Sequence, residues 1–304
     1  MRIGLMAGAT AATGDSLDSI SAFAKMAEAK KFNTVWLANI FGLDAITTLS
    51  IIGRETSEIE LGTAVTPSYP RHPSAMAQQA LTASVACNGR FSLGVGLSHK
   101  LVIEDFLGMS YEKPARHMRE YLEVLSPLLK GEAVSFDGQQ YSTHLALDVP
   151  EAKHIPLLIA ALGPTMLKLA GSIADGTTTW MVGTQTLESY IIPTMKAAAL
   201  AANRPAPRIV AGLPIALTDD VVFAKEKIAK DLEIYGMMPS YRAMLDKENA
   251  AGPADIALVG DRNSLKDGIA RLRDIGVTDF NAAIIPVAEG VFEDTVEFLQ
   301  SELA

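Results

Sequence analysis

The sequence has a single cysteine, Cys87, among 304 residues. No internal disulfide framework can hold it, and a reducing compartment is expected. Aromatic residues are scarce at 6% and charged residues at 20%, while 49% are hydrophobic. That surplus of small and aliphatic side chains can fill a large core, as where strands are covered on both faces by helices. Positive charge is in deficit: 26 Lys and Arg stand against 35 Asp and Glu, a net charge of −9. This argues against a nucleic-acid surface. There is no apolar run of about 18 residues, so no membrane span is expected. Met1–Gly8 is too short, and too soon followed by polar residues, to read as a signal peptide. No histidine pair has HExxH or similar spacing, so no metal site is expected. No Gly/Ser linker or low-complexity segment divides the chain. The expectation is one domain over 1–304, cytoplasmic, with no nucleic-acid or membrane partner.

What is present is a repeated strand and helix. The organising stretch is LGTAVTPSYPRHP, Leu61–Pro73. Leu61, Thr63 and Val65 favour a strand, and Gly62 and Ala64 leave room for close packing. Proline has no amide donor, so Thr66-Pro67 ends the pairing. A polar loop follows, and Ser74 is placed to cap a helix through Cys87. The unit recurs. Strands are expected at Arg2–Ala7, Thr34–Ala38, Arg90–Leu97, Ile155–Ala161, Thr177–Val182, Arg208–Leu217 and Val277–Pro286. A flexible loop is expected at Gly8–Gly14. The rhythm breaks at about 131–154, where Asp137-Gly138 signals a hairpin between Val134–Phe136 and Gln140–Ser142. Tyr235–Ile256 reads as irregular or helical, and Ser264 as the start of a helix. Eight strand–helix units predict a closed (β/α)8 TIM barrel with a hairpin-bearing insertion; an open doubly wound sheet is the alternative.

Chemistry in such folds sits where strands end. His99, after the fourth strand, reads as a proton donor or a partner to a cofactor ring, or as an ordinary loop histidine. Gly94–His99, GVGLSH, is not a dinucleotide fingerprint, because His99 replaces the third glycine and the motif lies in a fourth unit. Its glycines are expected to let a planar ring lie close to backbone. Arg71 and His72 read as an anion site or as a structural ion pair. Asn39 reads as a ligand contact or a turn residue. Ala161-Leu162-Gly163-Pro164-Thr165 joins a strand end to a helix N-terminus, where free amides suit a phosphate. Gly183-Thr184 reads the same way. Trp180 and Met181 read as core or as the wall of an apolar pocket. His117, in the charged helix PARHMREYLEVL, is expected on the solvated surface, and Cys87 as a buried, inert thiol.

Taken in order and spacing, LGTAVTPSYPRHPSAMAQQA, GRFSLGVGLSH, VSFDGQQYS, IAALGPTMLKLAGSIADGTTTWM and GVTDF resemble the luciferase-like family of flavin and deazaflavin oxidoreductases. TPSYPRHP and ALGPTM make the chain most similar to the branch that uses the deazaflavin coenzyme F420. The resemblance implies a (β/α)8 barrel with an insertion, a homodimer, and hydride transfer between F420 and a small organic substrate. An FMN-dependent monooxygenase is the first alternative, and a flavin- or deazaflavin-binding protein without turnover the second. The resemblance also implies site residues. A non-proline cis peptide would fall at Ala64-Val65, behind the central ring. Leu97, Ser98 and His99 would line the ring, with His99 as proton donor or ring partner and Asn39 as a further contact. Ala161, Leu162 and Gly163 would receive the cofactor phosphate. Some relatives have a glutamate in place of His99 and a double glycine in place of Leu162-Gly163. Sugar-phosphate-oxidising relatives carry an aspartate-histidine pair where this chain has Asn39-Ile40, so that reaction is not part of what the resemblance implies.

Overall fold

Side-chain alternation along the strands gives two apolar faces, and the fold buries both. In the computed structural model, which describes residues 1–8 and 14–303, β1 (Arg2–Ala7) turns Ile3, Leu5 and Ala7 toward helices and Met6 inward. β2 (Thr34–Leu37) turns Val35 and Leu37 outward and Trp36 inward. The same division runs through β3 (Glu60–Thr63), β4 (Phe91–Gly96), β5 (Leu157–Ile159), β6 (Gly176–Trp180), β7 (Arg208–Leu217) and β8 (Asp279–Ile284). Each pairs in parallel with its neighbour in chain order, and β8 returns to β1 with Asp279 opposite Arg2. The sheet therefore closes into the eight-stranded barrel the sequence predicts. Leu258–Gly260 adds an outer strand against the long end of β7 that the sequence did not signal.

The helices between strands are α1 (Leu17–Ala29), α2 (Ala45–Glu55), α3 (Pro73–Ala86), α4 (Pro114–Leu129) and α5 (Pro164–Ile173). After β6 a helical segment, Thr184–Thr186, runs through a wide turn into α6 (Ile192–Ala201). Then follow α7 (Val221–Asp231), α8 (Glu233–Met237), α9 (Pro239–Glu248), α10 (Arg262–Asp274) and α11 (Val291–Ser301). Two caps differ from expectation. Proline suits the first helical position, so α3 starts at Pro73 and His72, not Ser74, is its cap. Ser264 donates its amide to the Asp261 carboxylate at 2.8 Å, so Asp261 caps α10 and Ser264 lies inside it. Most of the Gly8–Gly14 loop, residues 9–13, lies outside the described residues.

The hairpin also differs. Its strands are Val134–Asp137 and Ser142–Leu145, joined by a four-residue loop rather than a two-residue turn at Asp137-Gly138. The cause is Glu120 of α4. Its carboxylate accepts the amides of Gln139, Gln140 and Tyr141 at 3.1, 2.7 and 3.2 Å. Burial works against this anion, but the three amides outweigh it and hold its pKa below the usual value.

The barrel interior is layered. Its floor is ionic: Arg208 holds Glu60 at 2.7 Å and Asp279 at 2.6 Å, and Arg2 holds Glu60 at 2.7 Å, all at strand starts. Above it lies the fully buried Trp36, its ring 5.3 Å from the Arg208 guanidinium carbon. Trp36 dictates glycine at position 62, where a Cβ would lie 2.3 Å from the indole. The top layer is mostly small. Period-two alternation places Met6, Ala38, Ala64, Gly96, Ala160, Trp180, Gly212 and Ala283 there. The larger side chains, Met6 and Trp180, sit to one side against Ala283.

Candidate active site

The small residues of this layer at the C-terminal ends of β2, β3, β4 and β5, which are neighbours in the sheet, make an apolar floor. Past Thr63 the chain turns through a cis peptide at Ala64-Val65 and pairs again, beside β4, at Thr66–Pro67, where the sequence predicts that pairing ends. The Ala64 amide donates to the Leu37 carbonyl at 2.9 Å. The Val65 carbonyl accepts the Asn39 amide at 3.2 Å. Asn39, Ala64 and Val65 are thus one hydrogen-bonded corner. The Asn39 side chain accepts the Ala45 amide at 3.0 Å, which is the work of a turn residue at the start of α2.

The glycines of β4 serve this corner. A Cβ at Gly96 would lie 2.6 Å from Val65 Cγ2 and 3.3 Å from the Ala160 Cβ. The space the sequence assigns to an approaching ring is filled at that level by Val65. Beyond Gly96, Leu97, Ser98 and His99 are half-buried. Ser98 has a positive φ of 59°, and its carbonyl accepts the Tyr111 hydroxyl at 3.4 Å. The His99 ring lies 5.5 Å from that of Tyr241 in α9, and burial lowers its pKa.

Ala161 is buried and Leu162 half-buried, and exposed Gly163 is the N-cap of α5. Among the described residues no side chain caps this helix. The amides of Gly163, Thr165 and Met166 find no protein acceptor among the described residues. The matching turn after β6 is different. Glu248 of α9 reaches Gly183-Thr184, and its carboxylate accepts the amides of Gln185 and Thr186 at 3.0 and 2.7 Å. The chain fills one of its two candidate anion turns with its own carboxylate and leaves the other open.

Other candidates take structural roles. Arg71 pairs with Asp44, the cap of α2, which is the structural alternative. Met181 is fully buried in the outer core, whereas Trp180 stands at the barrel mouth against Met6 and Ala283. Cys87 is buried, with its thiol pushed up to about 11. His117 is a correction: it is 3% exposed, not solvated. Its helix turns it inward, where it stacks on Tyr69 at 3.8 Å and its Nε2 lies 2.9 Å from Ser68 Oγ. The charged neighbours Arg116, Arg119 and Glu123 hid this in the sequence, although Met118, Tyr121, Leu122 and Leu125 mark the buried face. Burial pushes the His117 pKa down to about 4. The unfolded chain, at about 6.5, takes the proton first. Stability from this residue is therefore full above that pH and is lost as pH falls toward 4, about 3 kcal/mol in all. Urea unfolding of His117→Phe at pH 7 and 4.5 is expected to lack this acid loss.

The cover of the mouth was the least visible part in sequence. Glu248 fixes one end of α9, and Tyr241 brings its other end to His99. Burial raises the Tyr241 and Tyr235 phenols above their ordinary values. Among the described residues no cluster of His, Cys, Asp or Glu could hold a metal, and no helix is long and apolar enough to cross a membrane.

A family model described as luciferase-like monooxygenase matches residues 1–279. The chain belongs to that family. Among relatives of this luciferase-like chain, the 5,10-methylenetetrahydromethanopterin reductase of Methanolobus tindarius is 32% identical over 163 residues, 53% of this chain and 50% of the relative. An F420-dependent glucose-6-phosphate dehydrogenase of Mycolicibacterium smegmatis is 33% identical over 180 residues, 57% of this chain and 53% of the relative. The matches thus span about half the length of these relatives. In fold, the chain is similar to the coenzyme F420-dependent tetrahydromethanopterin reductase from Methanopyrus kandleri, with TM-score 0.82, 22% identity and coverage of 99% and 98% of the two chains.

Proposed function

We propose that this luciferase-like chain is an F420-dependent oxidoreductase acting on a small organic substrate, as a cytoplasmic homodimer. The observation that carries this reading is the uncapped α5 N-terminus at the edge of the small-residue floor. A flat ring with an anionic tail fits this pairing of an apolar shelf and unpartnered amides. The F420-dependent name of its Mycolicibacterium smegmatis relative supports the identity of the group. When bound, the deazaflavin supplies the two-electron chemistry by exchanging a hydride with substrate.

The protein's own residues have three tasks. Gly163, Thr165 and Met166 amides would hold the phosphate. The Asn39–Ala64–Val65 corner, with Leu97 and Ser98, would set the ring's plane and depth. His99 would move the substrate proton. Its lowered pKa leaves it neutral near neutral pH, so it is suited to accept a proton from a substrate hydroxyl. Substrate oxidation is then expected to slow as pH drops through the His99 pKa, below the ordinary histidine value, and reduction to quicken. His99→Asn is expected to flatten the pH–rate profile and reduce kcat about 100-fold. An unchanged profile in His99→Asn would remove His99 from the proton step.

A further inference from the structure

Three features of the barrel mouth bear on what can enter it. First, a run of rings crosses it from β4 to β6. His99 meets Tyr241 at 5.5 Å, Tyr241 meets Tyr235 at 5.3 Å, and Tyr235 meets Trp180 at 5.9 Å between centroids. The two tyrosines come from α9 and α8, and Glu248 ties this cover to the turn after β6. Second, the rim on either side of β3 is exposed and apolar. Phe41, 68% exposed, follows β2, and Phe106, 60% exposed, follows β4. Their rings meet at 5.9 Å, with Ile40 and Leu101 also exposed beside them in sequence. Third, the cations placed near strand ends, Lys113 excepted, are held elsewhere. Arg71 pairs with Asp44, and Lys100 with Glu104 at 3.6 Å. Arg242 is bound to Asp246 and the Ala250 and Ala251 carbonyls. Lys247 lies 4.6 Å over the Tyr190 ring, and Lys113 is exposed ahead of α4.

We infer that the substrate of this site is an uncharged molecule with an apolar body, admitted past Phe41 and Phe106 and enclosed by Tyr235, Tyr241 and Trp180. The inference rests on the oxidoreductase reading above and names its substrate class. An anion entering this enclosure would give up water and, among the described residues, meet no fixed cation. An apolar body would bury its surface against three rings.

The test compares cyclohexanone with a ring-carboxylated cyclohexanone. Binding is read from tryptophan fluorescence, Trp36 and Trp180 being the two tryptophans, with and without bound F420. Turnover is read as kcat/KM with reduced F420. The neutral ketone is expected to bind and react at least about 100-fold better, the discrimination due to a desolvated, unpartnered charge. Phe41→Lys is expected to shrink that ratio at least about 10-fold and to leave F420 affinity unchanged. Equal or tighter binding of the carboxylate overturns the inference, as does binding of neither ketone. Failure to bind F420 would instead defeat the oxidoreductase reading, and the fluorescence comparison on free protein would still decide the substrate class.

Discussion

Gly163→Asp is expected to stabilise the free protein and to weaken its binding of F420. Gly163 caps α5 at φ −79° and ψ 157°, ordinary extended backbone, and an added Cβ would meet nothing within 4 Å among the described residues. The substitution therefore introduces no strain. An aspartate here would accept the free amides of the first turn and oppose the helix dipole. The gain over glycine is a few tenths to about 1 kcal/mol. The chain already uses this solution after β6, where Glu248 fills the turn at Gly183. The same carboxylate would occupy the donors assigned to the cofactor phosphate and face it with like charge. A loss of about 100-fold in affinity is expected, about 2.7 kcal/mol. Thermal unfolding without cofactor and a fluorescence titration with F420 read the two effects separately. Gly163→Asn, a cap without charge, should lose less affinity. A stabilised variant with unchanged affinity would mean that the carboxylate has reached the amides and no phosphate binds there.

Arg208→Leu is expected to destabilise the fold by about 3–5 kcal/mol, measured by urea unfolding. Burial alone would lower the Arg208 pKa, but Asp279 and Glu60 outweigh it and raise it. The Asp279 side chain is 3% exposed and that of Glu60 19%. Removing the guanidinium leaves Asp279 with Arg2, at 3.5 Å, and the Thr278 hydroxyl, at 2.7 Å, and takes the cation from beneath Trp36. Arg208→Met combined with Asp279→Asn should recover part of the loss, because the buried charge goes with its partner. A loss below about 1 kcal/mol would show that the floor network is solvated in effect and contributes as surface pairs do.

Much of this was legible in the sequence because period-two alternation and turn residues are local signals. All eight barrel strands lie where runs such as RIGLMA and RIVAGLPIAL place them, and Gly163-Pro164 marks a helix start. What was not legible depends on distant partners. The sequence around Asp137-Gly138 signals a tight turn, but Glu120, in another element, gathers three amides and opens it. Gly163 and Gly183 look alike in sequence. Only Glu248, 65 positions beyond Gly183, makes one of them unavailable. The inward turn of His117 was legible from its apolar neighbours at helical spacing, and the surrounding charges obscured it. Tyr235 and Tyr241 gave no local signal for a role over the barrel mouth, since their place there comes from how α8 and α9 fold back.

The central claim is that the apolar shelf and the open α5 terminus together hold F420. The most direct test is a fluorescence titration of the purified protein with oxidised F420 and, separately, with FMN. Micromolar or tighter binding of F420 with much weaker binding of FMN is the predicted result. Preference for FMN would contradict the account and place the chain with the flavin-dependent monooxygenases of its family. Binding of neither would contradict it altogether.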